Sequence, residues 1–322
     1  MSSQRRVLID TDTASDDAVA LIMALRSAEV DVKAITVAAG NVPVDQATSN
    51  ALYTTELCGS NVPVFRGAAK PLLRTLQIAD WFHGKDGLGD HGYAPASYKV
   101  EQEHAVSAIG RTIAANPGIE IITLGPLTNL AAAILQQPGI VDSVSRCVVM
   151  GGAPCCEGNV TPAAEFNIWV DPEAAHIVFQ SGLPIEMVGW QLSRGAAAIN
   201  HGDVARMLNL DTPFAEFAIR CNSSAEQAFY EQTGEKGICL PDPIAMAVLL
   251  QPKLCLESSE HHVKIETTSE LTRGMTVVDR LGVAPDQRNR HIWSSSLASR
   301  KVRVCWRLDV AGWKAALMTA LR

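Results

Sequence analysis

Four aspartates stand close together near the start of the chain, in the segment DTDTASDD at positions 10–17. The segment directly follows the apolar run Val7–Ile9, which predicts a first β-strand. In an open parallel sheet, ligands bind beyond the carboxyl ends of the strands. Crowded carboxylates raise one another's pKa unless a cation neutralises them. The segment therefore predicts a cation site at a strand end, built from Asp10, Asp12, Asp16 and Asp17.

The residue types indicate which cation. An all-oxygen ligand set suits Ca²⁺ or Mg²⁺, whereas zinc prefers histidine and cysteine. An EF-hand loop is excluded, because Ser15 occupies the position of its turn glycine and Leu21 that of its last glutamate. Asp16 and Asp17 also suit the positive end of a helix dipole, but that alternative leaves Asp10 and Asp12 unexplained.

Composition limits the partners of this chain. It has 322 residues, of which 47% are hydrophobic, and a formal net charge of -7. Because there is no basic block, nucleic acid and anionic membranes are not expected partners. The eight cysteines include no CxxC pair, and no apolar segment is long enough for a membrane span or signal peptide. These features favour a reduced, cytoplasmic environment.

Short β-branched runs alternate with helical stretches, which predicts an α/β fold with a mostly parallel central sheet flanked by helices. We expect one domain over residues 1–322, with a smaller irregular C-terminal part. The loop Gln77–Ser97 is long enough to be an active-site flap. Strands are predicted at 6–9, 32–38, 62–65, 119–124, 147–150, 185–188, 262–266, 275–278 and 302–306. Helices are predicted at 17–25, 44–57, 104–115, 127–135, 172–180, 212–231, 243–250 and after Asp309.

The segment DTDTASDDAVAL resembles the DxDxxxDD signature of the inosine-uridine-preferring nucleoside hydrolase family. Further segments resemble family landmarks in order over nearly the whole chain. They are ITVAAGNV (35–42), FHGKDGLG (82–89), GPLTNL (125–130), MGG (150–152), EGN (157–159), AEFN (164–167), DPEAA (171–175), DP (242–243), GMTV (274–277) and residues 304–313. The resemblance implies a Rossmann-like nucleoside hydrolase fold and hydrolysis of ribonucleosides to ribose and free nucleobase.

The same resemblance implies a metal centre. One Ca²⁺ is expected at the bottom of the site, held by the carboxylates of Asp12, Asp17 and Asp242 and by the backbone carbonyl of Leu124. The ion acidifies a water molecule and Asp12 accepts its proton as general base. Attack on the anomeric carbon then passes through an oxocarbenium-like transition state. From the residues alone, Asp242 is equally a helix N-cap before Pro243.

The resemblance also assigns the sugar contacts. Ribose hydroxyls are expected to bind Asp16, Asn41, Asn159, Glu165 and Asn167, and Asp10 to lie behind the site and orient its neighbours. For Asn159, Glu165 and Asn167, capping of loop backbone is the alternative interpretation.

The base pocket departs from the family pattern. Many purine-cleaving relatives place a histidine, and another branch a tryptophan, immediately before the last metal aspartate. Pro241 stands there instead and can neither protonate nor stack on a base. The candidates for base contact are His83 and His91 in the flap, and Phe166 and Tyr230.

Two other functions compete with this interpretation. A haloacid-dehalogenase-like phosphatase also begins with DxD after its first strand and would use Asp10 as nucleophile, but it gives no role to Asn41 or Glu165. A nucleoside- or ribose-binding protein that kept the metal site and lost catalysis would explain Pro241. The expected partner in the main interpretation is a small ribonucleoside, and the expected assembly is a homodimer or homotetramer.

Overall fold

The computed structural model describes residues 4–322, and a twisted eight-stranded sheet runs through the middle of this part. Its strand order is β3-β2-β1-β4-β5-β6-β10-β7. All neighbours pair in parallel except β10 and β7, which are antiparallel. The strands are β1 (Arg5–Thr11), β2 (Val30–Val37), β3 (Val64–Arg66), β4 (Ile119–Thr123), β5 (Val144–Met150), β6 (Ile185–Val188), β7 (Cys255–His261), β8 (Val263–Ile265), β9 (Thr276–Val278) and β10 (Val302–Leu308). Strands β8 and β9 form a separate antiparallel pair.

Helices cover both faces of the large sheet, as a parallel sheet requires. They are α1 (Ser15–Leu25), α2 (Val44–Leu57), α3 (Asp80–His83), α4 (Ala105–Ala115), α5 (Thr128–Gln136), α6 (Phe166–Val170), α7 (Pro172–Gln180), α8 (His201–Leu208), α9 (Pro213–Arg220), α10 (Ser223–Thr233), α11 (Pro241–Leu250), α12 (Arg290–Ala298) and α13 (Val310–Ala320). One hydrophobic core lies between the sheet and α1, α2, α11 and α13, and the other between the sheet and α4, α5 and α7.

Charged residues close the amino end of the sheet. Arg146 on β5 donates to Glu186 on β6 at 2.7 Å and lies 3.4 Å from Glu120 on β4, which Arg5 on β1 also contacts at 3.0 Å. Both guanidinium groups donate to the last carbonyls of α11. Cationic side chains at a helix C-terminus complement its dipole. This row holds α11 against the sheet.

The predicted α/β architecture is confirmed, although several element boundaries differ from prediction. The segment 212–231 forms two helices that break at Cys221 and Asn222, where the Asn222 amide donates to Ala218 O at 2.9 Å. Helix α11 begins at Pro241, with Leu240 as N-cap. Asp242 is therefore the second helical residue, and the N-cap interpretation of Asp242 is wrong.

Five elements were not predicted at all, namely β7, α3, α6, α8 and α12. Across residues 4–322, the helices are all too short or too polar to cross a bilayer.

Candidate active site

A cleft opens at the carboxyl ends of the parallel strands and encloses about 660 Å³ of space, solvent at its mouth included. Strand β1 has β2 on one side and β4 on the other. The order in which successive strands are added to the sheet therefore reverses between β1 and β4. Such a switch point is where open α/β sheets bind ligands. The loops after β1, β2, β4, β5 and β6 all contribute to the cleft or its floor, as the acidic segment at the end of β1 predicted.

Asp12 is fully buried beneath the lining of the cleft, close to the lining residue Asp16, and backbone encloses its carboxylate. Its Oδ2 accepts a hydrogen bond from the Asn41 backbone N–H at 2.7 Å. Its Oδ1 is buried and has no hydrogen-bond partner within residues 4–322. A buried oxygen without a partner costs free energy, and in a carboxylate it is a ligand or proton-acceptor position.

Asp16, Asp17 and Asp242 each bring one carboxylate oxygen within 4.8 Å of the others. Asp17 accepts from the Thr11 hydroxyl at 2.5 Å and from the Ala14 backbone N–H at 3.0 Å. These bonds orient its side chain within the first turn of α1. This group of three contains Asp16, whereas the ligand set implied by the family resemblance contains Asp12 in its place. Asp12 lies beside the group.

The buried carboxyl groups of the floor repel one another unless a cation neutralises them. Burial, and then the negative charge of Asp17, raise the pKa of Asp16 to about 8 and that of Asp12 well above its usual range. Burial and the three neighbouring aspartates do the same to the pKa of Asp242. No lysine or arginine from the described residues lines the cleft. Four buried carboxyl groups with two unpartnered oxygens, Asp12 Oδ1 and Asp16 Oδ1, fit a hard divalent cation.

Leu124 and Asn167 meet at the wall beside this floor. The Asn167 amide donates to the Leu124 carbonyl at 2.7 Å, so that carbonyl, buried with its residue, keeps one lone pair for a further partner. Glu165 accepts from the backbone N–H groups of Gly152 and Asn167, both at 2.8 Å. Glu165 therefore does cap loop backbone and α6, and it lines the cleft as well.

The remaining predicted sugar contacts also reach the cleft. Asn41 lines it, and its amide donates to Asp17 at 3.2 Å. Asn159 lines it while accepting from the Phe166 backbone N–H at 2.9 Å. Asp10 does not line the cleft; it accepts from Thr36 at 2.6 Å and from Asn129 at 2.9 Å behind the floor.

The base-pocket candidates separate into two groups. His83 and Phe166 line the cleft. Tyr230 is 47% exposed and lines a different depression, and His91 bonds to Arg220 and Ser223 outside the cleft. The structure does not bring Tyr230 or His91 to the site.

Burial lowers the pKa of His83 to about 3, so its imidazole is neutral. The Ser15 hydroxyl lies 2.8 Å from its Nδ1. The flap that carries His83 is tied to the acidic loop by Asn50, whose amide donates to the carbonyls of Thr13 and Asp86.

Several cleft residues were not predicted from sequence. Trp190 packs in the core and also lines the cleft, and its Nε1 donates to the Glu157 carbonyl at 2.8 Å. Trp81 also lines the cleft. The one sequence signal that would have identified it is the Trp-Phe-His run at 81–83, which lies in a loop with little apolar periodicity. Others lack such a signal, namely Val160, Phe229, Gln232 and Cys239.

The fold is shared with solved nucleoside hydrolases. A plant nucleoside hydrolase superposes with a TM-score of 0.91 at 31% identity and 99% coverage of both chains. A purine-preferring ribonucleoside hydrolase from Gardnerella vaginalis gives 0.88 at 29% identity and 98% coverage of both. The fold class is therefore that of the nucleoside hydrolases.

The chain belongs to the inosine-uridine preferring nucleoside hydrolase family, whose model matches residues 7–315. Among curated proteins, a pyrimidine-specific ribonucleoside hydrolase RihA from Citrobacter koseri is 41% identical over 276 residues, 85% of this chain and 88% of that protein. The corresponding protein from Salmonella typhi is 40% identical over 277 residues, with the same coverage. The chain is an enzyme of this type, with a small-molecule nucleoside as substrate, and hydrolyses ribonucleosides to ribose and nucleobase.

Proposed function

We propose that this enzyme is a calcium-dependent hydrolase that prefers pyrimidine ribonucleosides. The observation that supports it most directly is that four carboxyl groups from distant parts of the sequence, Asp12, Asp16, Asp17 and Asp242, converge on one buried floor. No lysine or arginine of the described residues lines the cleft above them.

For the cation we propose Ca²⁺, held by Asp12, Asp17, Asp242 and the Leu124 carbonyl. An all-oxygen set with a backbone carbonyl and room for a diol suits the 6–8 ligands that Ca²⁺ takes. When bound, the ion neutralises these carboxylates and polarises the attacking water.

In the proposed reaction, Asp12 removes the proton from that water. Its Oδ2 is held by Asn41, which leaves the unpartnered Oδ1 to accept the proton. The surrounding carboxylates stabilise positive charge that develops on the sugar ring.

The ribose hydroxyls are proposed to bind Asp16, Asn41, Asn159, Glu165 and Asn167. All five line the cleft. Carboxylates accept, and asparagine amides both donate and accept, which matches a vicinal diol. Asp16 Oδ1, which no described residue bonds, is an acceptor position for one hydroxyl.

The preference for pyrimidines is proposed from the RihA relatives, which are named pyrimidine-specific. His83 and Phe166 would contact the base. Pro241 supplies no acid at the position where many purine-cleaving relatives have a histidine, and a pyrimidine can leave with its charge spread onto a carbonyl oxygen. We also infer a homodimer or homotetramer, and a cytoplasmic location, with which eight free cysteines agree.

A substrate panel tests the proposal. Purified enzyme should release ribose from uridine and cytidine faster than from inosine and guanosine. A calcium chelator should abolish turnover, and added Ca²⁺ should restore it. Asp12→Asn should lower kcat by about 10³-fold or more, because the general base is lost. Undiminished activity after rigorous chelation, or a preference for purines, would contradict the proposal.

A further inference from the structure

The hydroxyl of Ser15 and the imidazole of His83 form a buried pair beside the catalytic floor. Resting on the proposed function, we propose that Ser15 is a positioning residue. It holds His83 in the tautomer whose Nε2 carries the proton, so that Nε2–H donates to the departing pyrimidine. The pair joins the first residue of α1 to the flap, across 68 positions of the sequence.

Hydrogen-bond accounting determines the tautomer. Ser15 is fully buried, and the 2.8 Å contact with His83 Nδ1 is the one bond that its Oγ makes within the described chain. If Nδ1 carried the proton, Ser15 would accept it and its own hydroxyl hydrogen would have no acceptor, which is costly in a buried site. If Ser15 donates to Nδ1, both groups are satisfied and the ring proton is on Nε2.

The nearby carboxylate does not reverse this assignment. Asp16 Oδ1 is 3.8 Å from His83 Nδ1, beyond hydrogen-bond distance. Burial keeps the imidazole neutral, so the two side chains do not form an ion pair. His83 lines the cleft, and its Nε2 makes no hydrogen bond with residues 4–322. This nitrogen is therefore available to a ligand.

The reaction balances with a neutral donor. The C1′–N1 bond breaks as water oxygen bonds to C1′, and the water proton passes to Asp12. The electron pair goes to the base and delocalises onto its O2, where the Nε2–H hydrogen bond stabilises the negative charge. The base anion takes a proton from solvent as it departs, and Asp12 releases its proton to solvent, which returns it to its ionised form. Among other cleft groups, the Trp190 N–H is already donated to Glu157, and Pro241 has none to offer.

The experiment compares two substrates in the calcium-loaded enzyme. Uridine needs help at its leaving group, whereas p-nitrophenyl β-D-ribofuranoside releases a stable anion without it. Ser15→Ala should lower kcat for uridine by about 10–100-fold, a little less than loss of a whole donor, and His83→Asn should lower it further. For the nitrophenyl riboside, both variants should stay within about threefold of the parent enzyme. Ser15→Thr, which keeps the hydroxyl, should recover most uridine activity.

Controls separate this effect from misfolding and from failure of the proposed function. Ser296→Ala removes an equally buried serine hydroxyl far from the cleft. It should leave kcat unchanged for both substrates. Asp12→Asn should lose activity on both substrates, since hydrolysis of both needs the attacking water. If the parent enzyme cleaves the nitrophenyl riboside but no pyrimidine nucleoside, the proposed function fails on its own.

The positioning role is overturned if Ser15→Ala lowers kcat equally for both substrates, or lowers it for neither. Imidazole ¹⁵N chemical shifts give a second readout. They should report the Nε2–H form in the parent enzyme and a mixture of tautomers in Ser15→Ala. An Nδ1–H form in the parent enzyme would also overturn the proposal.

Discussion

Gly125 lies so close to Asp12 that a Cβ on this glycine would stand 2.4 Å from Asp12 Oδ1. Gly40 approaches the opposite side, where a Cβ would stand 2.0 Å from Asp12 Oδ2. The two backbones thus leave no room for a side chain beside either carboxylate oxygen, and glycine at both positions is a requirement of the site.

Gly125→Ala should impair catalysis and also lower stability, because its Cβ would stand 2.4 Å from Asp12 Oδ1 and 2.9 Å from the Asp12 backbone N. The new methyl would push Oδ1 from its position, and displacement of a reacting group by about 1 Å can cost about 10²-fold in rate. We expect kcat/KM for uridine to fall by about that factor, measured by ribose release. Gly139→Ala, where a Cβ meets nothing within 4 Å, is the matched control. Equal activities of the two variants would show that Oδ1 has no catalytic role.

Stability of the metal-free enzyme should decrease as pH rises. The pKa of Asp16 is about 8 in the folded chain because of burial and Asp17, against about 3.9 in unfolded chains. Between these values the folded state binds more protons at Asp16, so the contribution of this group to the free energy of unfolding is most favourable below about pH 4 and declines progressively up to about pH 8.

Melting temperatures between pH 5 and 8.5 check this expectation. The decline should appear with a chelator present. It should flatten with saturating Ca²⁺, which also raises stability by about 2.7 kcal/mol at 100 times its Kd. Asp16→Asn should reduce the slope of the chelated enzyme. A chelated enzyme that becomes more stable towards pH 8 would contradict the account.

The enzyme should reject 2′-deoxyribonucleosides. The five polar side chains that we propose to bind the sugar line the cleft, and loss of one hydroxyl would leave buried partners without a bond. We expect kcat/KM for 2′-deoxyuridine to be lower than for uridine by on the order of 10³-fold. A difference below about tenfold would mean that these residues do not grip the diol.

Arg146 should matter for folding and not for chemistry. Arg146→Met removes the partner of Glu186 and two bonds to the end of α11. Loss of one member of a buried ion pair costs about 3–5 kcal/mol, measurable by urea unfolding, with kcat of the folded protein unchanged. Arg288→Met breaks an exposed pair with Asp286 and should cost less than about 1 kcal/mol. A kcat loss in Arg146→Met would show that the amino end of the sheet influences the cleft.

The parallel strands could be predicted because they are apolar on both faces, and the carboxyl end of β1 located the site. The edge strand β7 could not. Its residues are mostly exposed and polar, so the sequence shows no alternation, and only pairing with β10 makes it a strand. Similarly, the break at Asn222 arises from a side-chain bond that propensity does not reveal.

The site was predictable where residues adjoin a strand end or match a family landmark. Asp242 was placed at the metal centre by resemblance, and the structure brings it beside Asp16 and Asp17. The pairing of Ser15 with His83 was not predictable, because it depends on the path of the flap. Tyr230 faces away from the cleft because α10 turns its exposed side outward.

The central claim is that one divalent cation lies among carboxylates that are far apart in the sequence. A crystal structure of the enzyme grown with Ca²⁺ tests it most directly. We predict an ion 2.3–2.6 Å from oxygens of Asp12, Asp17 and Asp242 and from the Leu124 carbonyl. Calcium-soaked crystals with no ion on this floor, or with an ion that Asp12 does not contact, would contradict the account.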